Sequence, residues 1–400
     1  MKRLFAILTA MVFVAACQNG SPSDRAANPA ASSESSATAT ETISSPSSGT
    51  VAPAAGSDAA PAETQRKTHV VVDSIGREVT LPDPIKRAVI ANGYNLELVN
   101  AIGAIDAIVG VDYITYSDLD AYGNFFTEDT VIGQSSTELN YEKIIELEPD
   151  ALIITGNGSW EDAEKKLGPF GIKVVVLNAY YTGEFKRNWT IAGQLFGKED
   201  EARELIDYFE GKLAYIRDQL KDVPKKTLYY EYKRIGNTTI PGDYFHNMVV
   251  YSGAQNLYDD AINVEIDPET VITRNPEYIV RVGTSNVNGR YVPPTPEEFA
   301  RRKNDVVSRP GWDEISAVKN DRILLLSHYS QGAAGKLVGT MYIAKFLYPD
   351  ELPDLNPEEV FRTWLEKYQR MPYIAGHTVP AYALDERESP GNRTETDAAG

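Results

Sequence analysis

Short runs of apolar residues alternate with longer segments whose apolar positions recur at helical spacing. The strand-like runs are residues 70–72, 88–90, 107–109, 151–154, 173–177, 227–232, 278–282 and 322–326. Segments with the helical period lie between them, for example at 96–102 and 141–147, and others follow at 340–347 and 357–368. Strands that alternate with helices form mostly parallel sheets covered by helices. The sequence therefore predicts an α/β fold.

A long amphipathic segment, residues 185–222, divides the strand-like runs into two sets. Its apolar positions keep the helical period, with a single interruption expected at Gly197. The predicted fold class is two α/β lobes, residues 67–184 and 223–384, with mostly parallel sheets flanked by helices and joined by one long connecting helix. Ligands of open α/β sheets bind beyond the carboxyl ends of the strands, so we expect a ligand cleft between the lobes. A helical connector predicts a modest hinge motion on binding.

The first residues carry an export signal. Lys2 and Arg3 precede an apolar stretch, residues 4–14, which is too short to cross a bilayer because a spanning helix needs about 20 residues. The Val-Ala-Ala-Cys run that ends at Cys17 resembles a bacterial lipobox, with Val where Leu is usual. Cys17 is the only cysteine of the chain, so no intramolecular disulfide is expected. The sequence predicts a lipoprotein signal peptide at 1–16 and a lipid on Cys17.

The segment that follows the signal has the composition of a tether. Residues 17–66 are mainly Ala, Ser, Thr, Pro and Gly, and such a stretch cannot bury enough apolar surface to offset the entropy of ordering. We expect a disordered tether there and a disordered tail at 385–400. The formal net charge is −18 and no stretch concentrates Lys and Arg, which disfavours nucleic acid as a partner. The predicted location is extracytoplasmic, lipid-anchored to the cell membrane at the cell surface or in the periplasm.

A set of segments occurs in order along the folded part, at residues 73–82, 93–103, 108–111, 140–153, 252–256, 275–280, 309–313, 317–322 and 344–349. This ordered set resembles the substrate-binding proteins of bacterial importers for ferric siderophores, haem and cobalamin, in which a helix joins the two lobes. The resemblance implies a monomeric binding protein that captures a metal chelate, above all a ferric siderophore, and delivers it to an ABC permease and its ATPase. Haem or cobalamin as the ligand, and a surface sensory or adhesive lipoprotein on the same lobes, remain as alternatives.

Aromatic and cationic residues gather where the predicted strands end. Tyr and Trp provide rigid contact area, and Arg binds anionic groups and stacks on rings, so this lining suits a large, planar or anionic chelate. His328 is the histidine best placed to reach a metal, since imidazole suits iron. The competing interpretation of each residue is an ordinary packing or solvated side chain. The candidate ligand-binding residues are Tyr94, Tyr113, Trp160, Tyr181, Arg187, Tyr232, Arg234, Arg281, His328 and Tyr329.

Signatures of enzymes and of resident metals are missing from the sequence. It contains no G-x-S-x-G elbow, no P-loop and no H-E-x-x-H motif, and its one cysteine is assigned to lipid. No cluster of His, Asp and Glu has metal-site spacing, so we expect a binding protein without a cofactor and not an enzyme. The family resemblance implies an acidic residue on each lobe for docking to the permease. It places Glu97 in that role on the first lobe but leaves an apolar residue, Val250, on the second.

Overall fold

The computed structural model describes residues 66–118, 122, 125–283 and 291–382. The strands are β1 (Thr68–Val72), β2 (Glu78–Pro82), β3 (Ala88–Ile90), β4 (Ile108–Val111), β5 (Gly133–Ser135), β6 (Glu138–Leu139), β7 (Ala151–Ile154), β8 (Lys173–Val176), β9 (Thr227–Tyr232), β10 (Gln255–Asn256), β11 (Tyr278–Val282), β12 (Ile323–Leu326) and β13 (Thr378–Val379). The predicted signal peptide, Cys17, the tail at 385–400 and nearly all of the tether lie outside the described residues.

Helices alternate with these strands over most of the described chain. The α-helices are α1 (Gly93–Ala101), α2 (Tyr113–Tyr116), α3 (Tyr141–Glu146), α4 (Trp160–Leu167), α5 (Phe185–Phe196), α6 (Glu199–Leu220), α7 (His246–Tyr251), α8 (Glu269–Arg274), α9 (Pro296–Val307), α10 (Ser316–Lys319), α11 (Ala333–Leu347) and α12 (Pro357–Thr363). A π-helical segment, Trp364–Gln369, continues α12. Within the described ranges, no helix combines the length and the apolar character that crossing a membrane requires.

Two separate sheets carry the two predicted lobes. The sheet of the first lobe has the order β4-β3-β7-β8, and all its strands are parallel. The sheet of the second lobe has the order β10-β9-β11-β12-β13, in which only the edge strand β13 is antiparallel among the described strands. Strand β3 lies between β4 and β7, and β9 lies between β10 and β11, so the strand order reverses at both places. Such switch points leave a crevice at the carboxyl ends of the strands.

Successive residues of each central strand enter different hydrophobic cores. In the first lobe Ile153 belongs to a core that both lobes share, whereas Leu152 and Ile154 belong to a second core on the other face of the sheet. In the second lobe Tyr230 enters the shared core and Tyr229 a third one. This alternation follows from the period of two in a strand. The shared core ties the lobes together, which supports the expectation of a modest hinge.

The predicted connecting helix consists of two helices, α5 and α6. Helix α5 ends at Gly197, whose φ of 63° is left-handed and cannot continue the helix. The helices pack closely at the break, because a Cβ added to Gly193 would lie 2.8 Å from the Cβ of Ala202. In α6 the buried residues Leu205, Phe209 and Leu213 share one face, as the amphipathic pattern predicts. The connector is therefore a helix pair with a bend at Gly197.

Gly335, near the start of α11, has no room for a side chain. A Cβ added there would overlap the carbonyl oxygen of Tyr329. We expect Gly335→Ala to lower the free energy of unfolding by about 2 kcal/mol. The matched control is Gly211→Ala in α6, where nothing lies within 4 Å of the added Cβ, and it should raise that free energy by about 0.5–1 kcal/mol. Urea denaturation measures both, and a change of the same sign in the two variants would contradict this packing.

Candidate functional site

A cavity of about 320 Å³ lies between the lobes at the carboxyl ends of the strands. The first lobe contributes residues that follow β3, β7 and β8. The second lobe contributes the last residue of β9, residues of the segments after β9 and β10, and one side chain of α11. Both switch points therefore face the same space. The lining residues are Asn92, Tyr94, Asn157, Tyr180, Tyr232, Lys233, Asp243, Tyr244, Phe245, Val264 and Lys336.

Local hydrogen bonds fix the backbone of this lining. The side-chain oxygen of Asn92 accepts from the backbone N–H of Tyr94 at 2.9 Å, which caps α1 and places Tyr94 in its first turn. On the opposite lobe, Asp243 accepts from the hydroxyl of Thr239 at 2.8 Å and from the N–H of Phe245 at 3.3 Å. These bonds hold the turn that leads into α7 and fix the backbone around Asp243.

Lys336 is a buried lysine in the wall of the cavity. Its side chain is 2% exposed, and its Nζ donates a hydrogen bond to the carbonyl oxygen of Tyr180 at 2.8 Å. Three ring centroids surround the Nζ, those of Phe245 at 4.8 Å, Tyr180 at 5.3 Å and Tyr244 at 5.7 Å. Burial lowers the pKa of Lys336 to about 7, because the charged form loses its hydration, and the negative charge of Asp243 opposes this effect only in part.

Aromatic rings form much of the remaining wall. The rings of Tyr180 and Tyr244, from opposite lobes, meet edge to face with centroids 5.3 Å apart, and Tyr232 packs on Phe245 at 4.6 Å. Burial, reinforced by Asp243, raises the pKa of Tyr232 to about 12, and burial likewise raises the pKa of Tyr180 well above its ordinary value. The phenols are therefore neutral at physiological pH and act as hydrogen-bonding groups, not as phenolates.

The structure brings only part of the sequence-predicted set to this cavity. Tyr94 and Tyr232 line it. Tyr181 lies beside it, with its ring centroid 6.1 Å from that of Tyr244. His328 is half-buried in the turn before α11 and is not among the described lining residues.

Four other predicted residues lie at the surface of the lobes, outside the cavity. The guanidinium of Arg187 donates to the backbone carbonyls of Asp73 at 2.8 Å and Ser74 at 3.0 Å, which fastens the β1–β2 hairpin to α5. Tyr113 is 48% exposed at the start of α2. The other two are Trp160, whose ring lies 4.4 Å from the guanidinium of Arg77, and Arg234, which forms an ion pair with the exposed Glu265.

Three predicted residues are buried and serve the packing of the fold. Arg281 pairs with the carboxylate of Glu231, its Nε lying 3.0 Å from Oε1. Tyr329 stacks on the ring of Phe361 with centroids 4.2 Å apart. Glu97 is only 1% exposed, which contradicts a role in docking to a permease because the carboxylate does not reach the surface.

Most of the lining was missed by reasoning from the sequence. The sequence does distinguish Lys336 as a candidate, because it is the one charged residue between Ala333 and Ala344. A lone charge in an apolar helix is rarely buried without a partner. Asp243 and Tyr244 had no such signal, since they belong to an irregular turn that only the tertiary fold brings to the cavity.

A larger cavity, about 680 Å³, runs along the connector. Its floor is apolar, with Leu213, Ile216 and Val250 among the residues that form it, and exposed charged side chains such as Lys221 line its edge. The lining of this connector groove comes mainly from α5, α6 and α7, includes the predicted residue Arg187, and does not contain the residues that directly follow the strands. We therefore assign the candidate ligand site to the smaller cavity, where both switch points meet.

The described residues offer no ready-made site for a bare metal ion. Among them, no three His, Cys, Asp or Glu side chains are grouped closely enough to hold one. Neutral phenols and a buried lysine are likewise poor ligands for a cation. The described lining instead combines two lysines and one aspartate with aromatic rings.

Comparisons with known proteins agree with this architecture. The sequence profile of the family described as "Periplasmic binding protein" matches residues 89–329. The molybdate-binding protein MolA of Haemophilus influenzae is 23% identical over 340 residues, which cover 76% of this chain and 92% of that protein. The petrobactin-binding protein YclQ of Bacillus subtilis is 23% identical over 272 residues, covering 66% of this chain and 82% of that protein. The crystal structure of the TroA-like periplasmic binding protein FepB from Veillonella parvula superposes with a TM-score of 0.64 at 21% identity, covering 78% of this chain and 99% of that one.

Proposed function

The chain belongs to the periplasmic binding protein family and is the substrate-binding component of an ABC transporter, and on that premise we propose that it captures a compact anionic metal chelate, above all a ferric siderophore. Proteins of this family deliver small molecules to ABC permeases, act outside the cytoplasm and are not enzymes, as the sequence predicts. We further propose that a lipid on Cys17 holds the protein at the cell membrane. Fractionation of wild-type and Cys17→Ser protein between membrane and soluble fractions tests the anchor.

The buried Lys336 at the cavity wall carries the proposal for the ligand. A lysine ammonium favours a negatively charged guest, and the surrounding rings favour one with apolar or aromatic surface. Because the phenols are neutral and the described residues hold no metal cluster, a metal would arrive already coordinated by its own ligands. A ferric chelate with anionic oxygen donors meets all these conditions.

The volume of the cavity favours a second candidate, a metal oxyanion such as molybdate. About 320 Å³ is at the small end of ligand pockets, which span roughly 300–1,000 Å³. Of the relatives, MolA is described as binding molybdate and YclQ as binding the siderophore petrobactin. A compact chelate and an oxyanion share one chemistry, negatively charged oxygens around a metal. The same small volume disfavours cobalamin, the largest of these alternatives.

Titration calorimetry with ferric catecholate complexes and molybdate tests the site. Tyr94→Ala removes a lining residue, and we expect it to weaken binding of whichever anion the wild type takes by about 10-fold or more. Tyr113→Ala is the matched control, because Tyr113 is exposed outside the cavity, and it should bind like the wild type. Equal weakening by both substitutions, or a wild type that prefers neutral solutes, would contradict the proposal.

A further inference from the structure

Lys336 has fewer hydrogen-bond acceptors than its ammonium can use. A protonated lysine carries three N–H donors, but among the described residues the Nζ has one acceptor, the carbonyl oxygen of Tyr180. No described carboxylate lies within ion-pair distance of it, and ring faces occupy the nearby space. A buried charge with unused donors costs free energy unless a further acceptor is supplied. The adjoining cavity is where such an acceptor can enter.

The same side chain joins the two lobes. Lys336 belongs to α11 of the second lobe, whereas Tyr180 follows β8 in the first lobe. The edge-to-face contact of Tyr180 with Tyr244 lies next to this hydrogen bond and also crosses between the lobes. A molecule bound to Lys336 therefore contacts an ammonium that already joins the two lobes.

Resting on the proposed function, we propose that Lys336 is the anion-recognition group of the cleft, donating to an oxygen of the ligand while it keeps its hydrogen bond to Tyr180. The bound anion then contacts the same side chain that joins the two lobes. The charge of the ligand is therefore recognised at the contact between the lobes. Lys233 adds a second, exposed cation to the cavity wall and Asp243 adds one carboxylate. With these groups the cavity favours guests that carry negatively charged oxygens and disfavours neutral and cationic ones.

Recognition by a lysine couples binding to pH. The titratable groups that face Lys336 are Asp243, Tyr180 and Tyr244, and the carboxylate of Glu97 lies near Gly332 at the start of α11. Burial lowers the pKa of Lys336 to about 7, so the amine is increasingly neutral above that pH. An anion needs the charged form, and its binding should therefore take up a proton at alkaline pH.

Calorimetric titrations at pH 6, 7, 8 and 9, with molybdate and with the ferric complex of 2,3-dihydroxybenzoate as probes, test the inference. The wild type should bind at least one probe, and its affinity should fall by about 10-fold between pH 8 and pH 9. Lys336→Arg, which keeps its charge, should bind with little dependence on pH. Lys336→Met should lose about 100-fold or more in affinity at pH 6, and circular dichroism confirms that each variant is folded.

A control variant distinguishes a failure of the inference about Lys336 from a failure of the proposed function. Lys221→Met removes an exposed cation of the connector groove and should leave binding unchanged. If Lys336→Met binds the probes as tightly as the wild type, the inference about Lys336 is wrong while the proposed function stands. If the wild type binds neither anion at any of these pH values, the proposed ligand class fails as well.

Discussion

Replacing Glu231 by Ala should lower the free energy of unfolding by about 3–5 kcal/mol. Glu231 is fully buried in β9, and its two carboxylate oxygens accept from Arg309 at 2.7 and 2.9 Å. Arg281 completes the cluster, with its Nε 3.0 Å from the same carboxylate. Without Glu231, two buried guanidinium groups lose their counter-charge, which is the costly way to break a buried ion pair.

The cluster around Glu231 also supports the cleft. Arg281 donates to the backbone carbonyl of Lys233 at 3.0 Å, and Lys233 lines the cavity. We therefore expect Glu231→Ala to weaken ligand binding in addition to stability. The matched control is Glu265→Ala, which removes an exposed ion pair with Arg234 and should change the free energy of unfolding by less than about 1 kcal/mol. Urea denaturation compares the two, and similar losses would contradict the buried cluster.

Replacing Lys336 by Met should stabilise the ligand-free protein, by about 2–4 kcal/mol at pH 6. The pKa of this lysine falls from 10.5 to about 7 on folding because burial removes the hydration of the charged form. At pH 6 the folded wild type carries a buried charge and is destabilised by the full cost of its desolvation. A methionine side chain has no charge to desolvate. The substitution should therefore raise the free energy of unfolding and weaken ligand binding, as is common where a functional group is buried.

The pH dependence of this gain has a definite sign. Between pH 7 and pH 10.5 the unfolded wild type binds the proton of Lys336 more tightly than the folded protein, so wild-type stability rises with pH in that window. The advantage of Lys336→Met should be complete below pH 7 and should shrink as the pH approaches 10.5. Urea denaturation at pH 6, 8 and 10 measures it, with Lys221→Met as the exposed control. A gain that is the same at pH 6 and pH 10, or a loss at pH 6, would contradict the burial of a titrating lysine.

Local patterns in the sequence were sufficient to predict the fold. The strands predicted at 88–90, 151–154, 227–232 and 278–282 have those bounds in the structure. These are parallel strands in the interior of their sheets, and their mostly apolar residues follow from burial on both faces, with the buried Glu231 and Arg281 paired to each other across β9 and β11. The α/β class and the family are confirmed. The interruption expected at Gly197 is present in the connector, where Gly197 ends one helix and Glu199 begins the next.

The site was harder to predict because its residues meet only through tertiary contacts. Arg281 looked like a ligand-binding cation, yet it lies directly opposite Glu231 on the neighbouring strand and is paired there. That pairing depends on strand register, which the sequence does not display. Tyr180 and Tyr244 likewise form a wall only because the two lobes approach each other. Strand ends indicate where this cavity lies but not which side chains line it.

Anomalous diffraction from crystals grown with molybdate or with a ferric catecholate complex tests the central claim most directly, because it locates the metal itself. We predict a metal peak inside the interlobe cavity, near the Nζ of Lys336 and beside Tyr94 and Tyr232. A metal peak in the connector groove, or a bound metal with Lys336 far from its ligand shell, would contradict the assignment of the cleft.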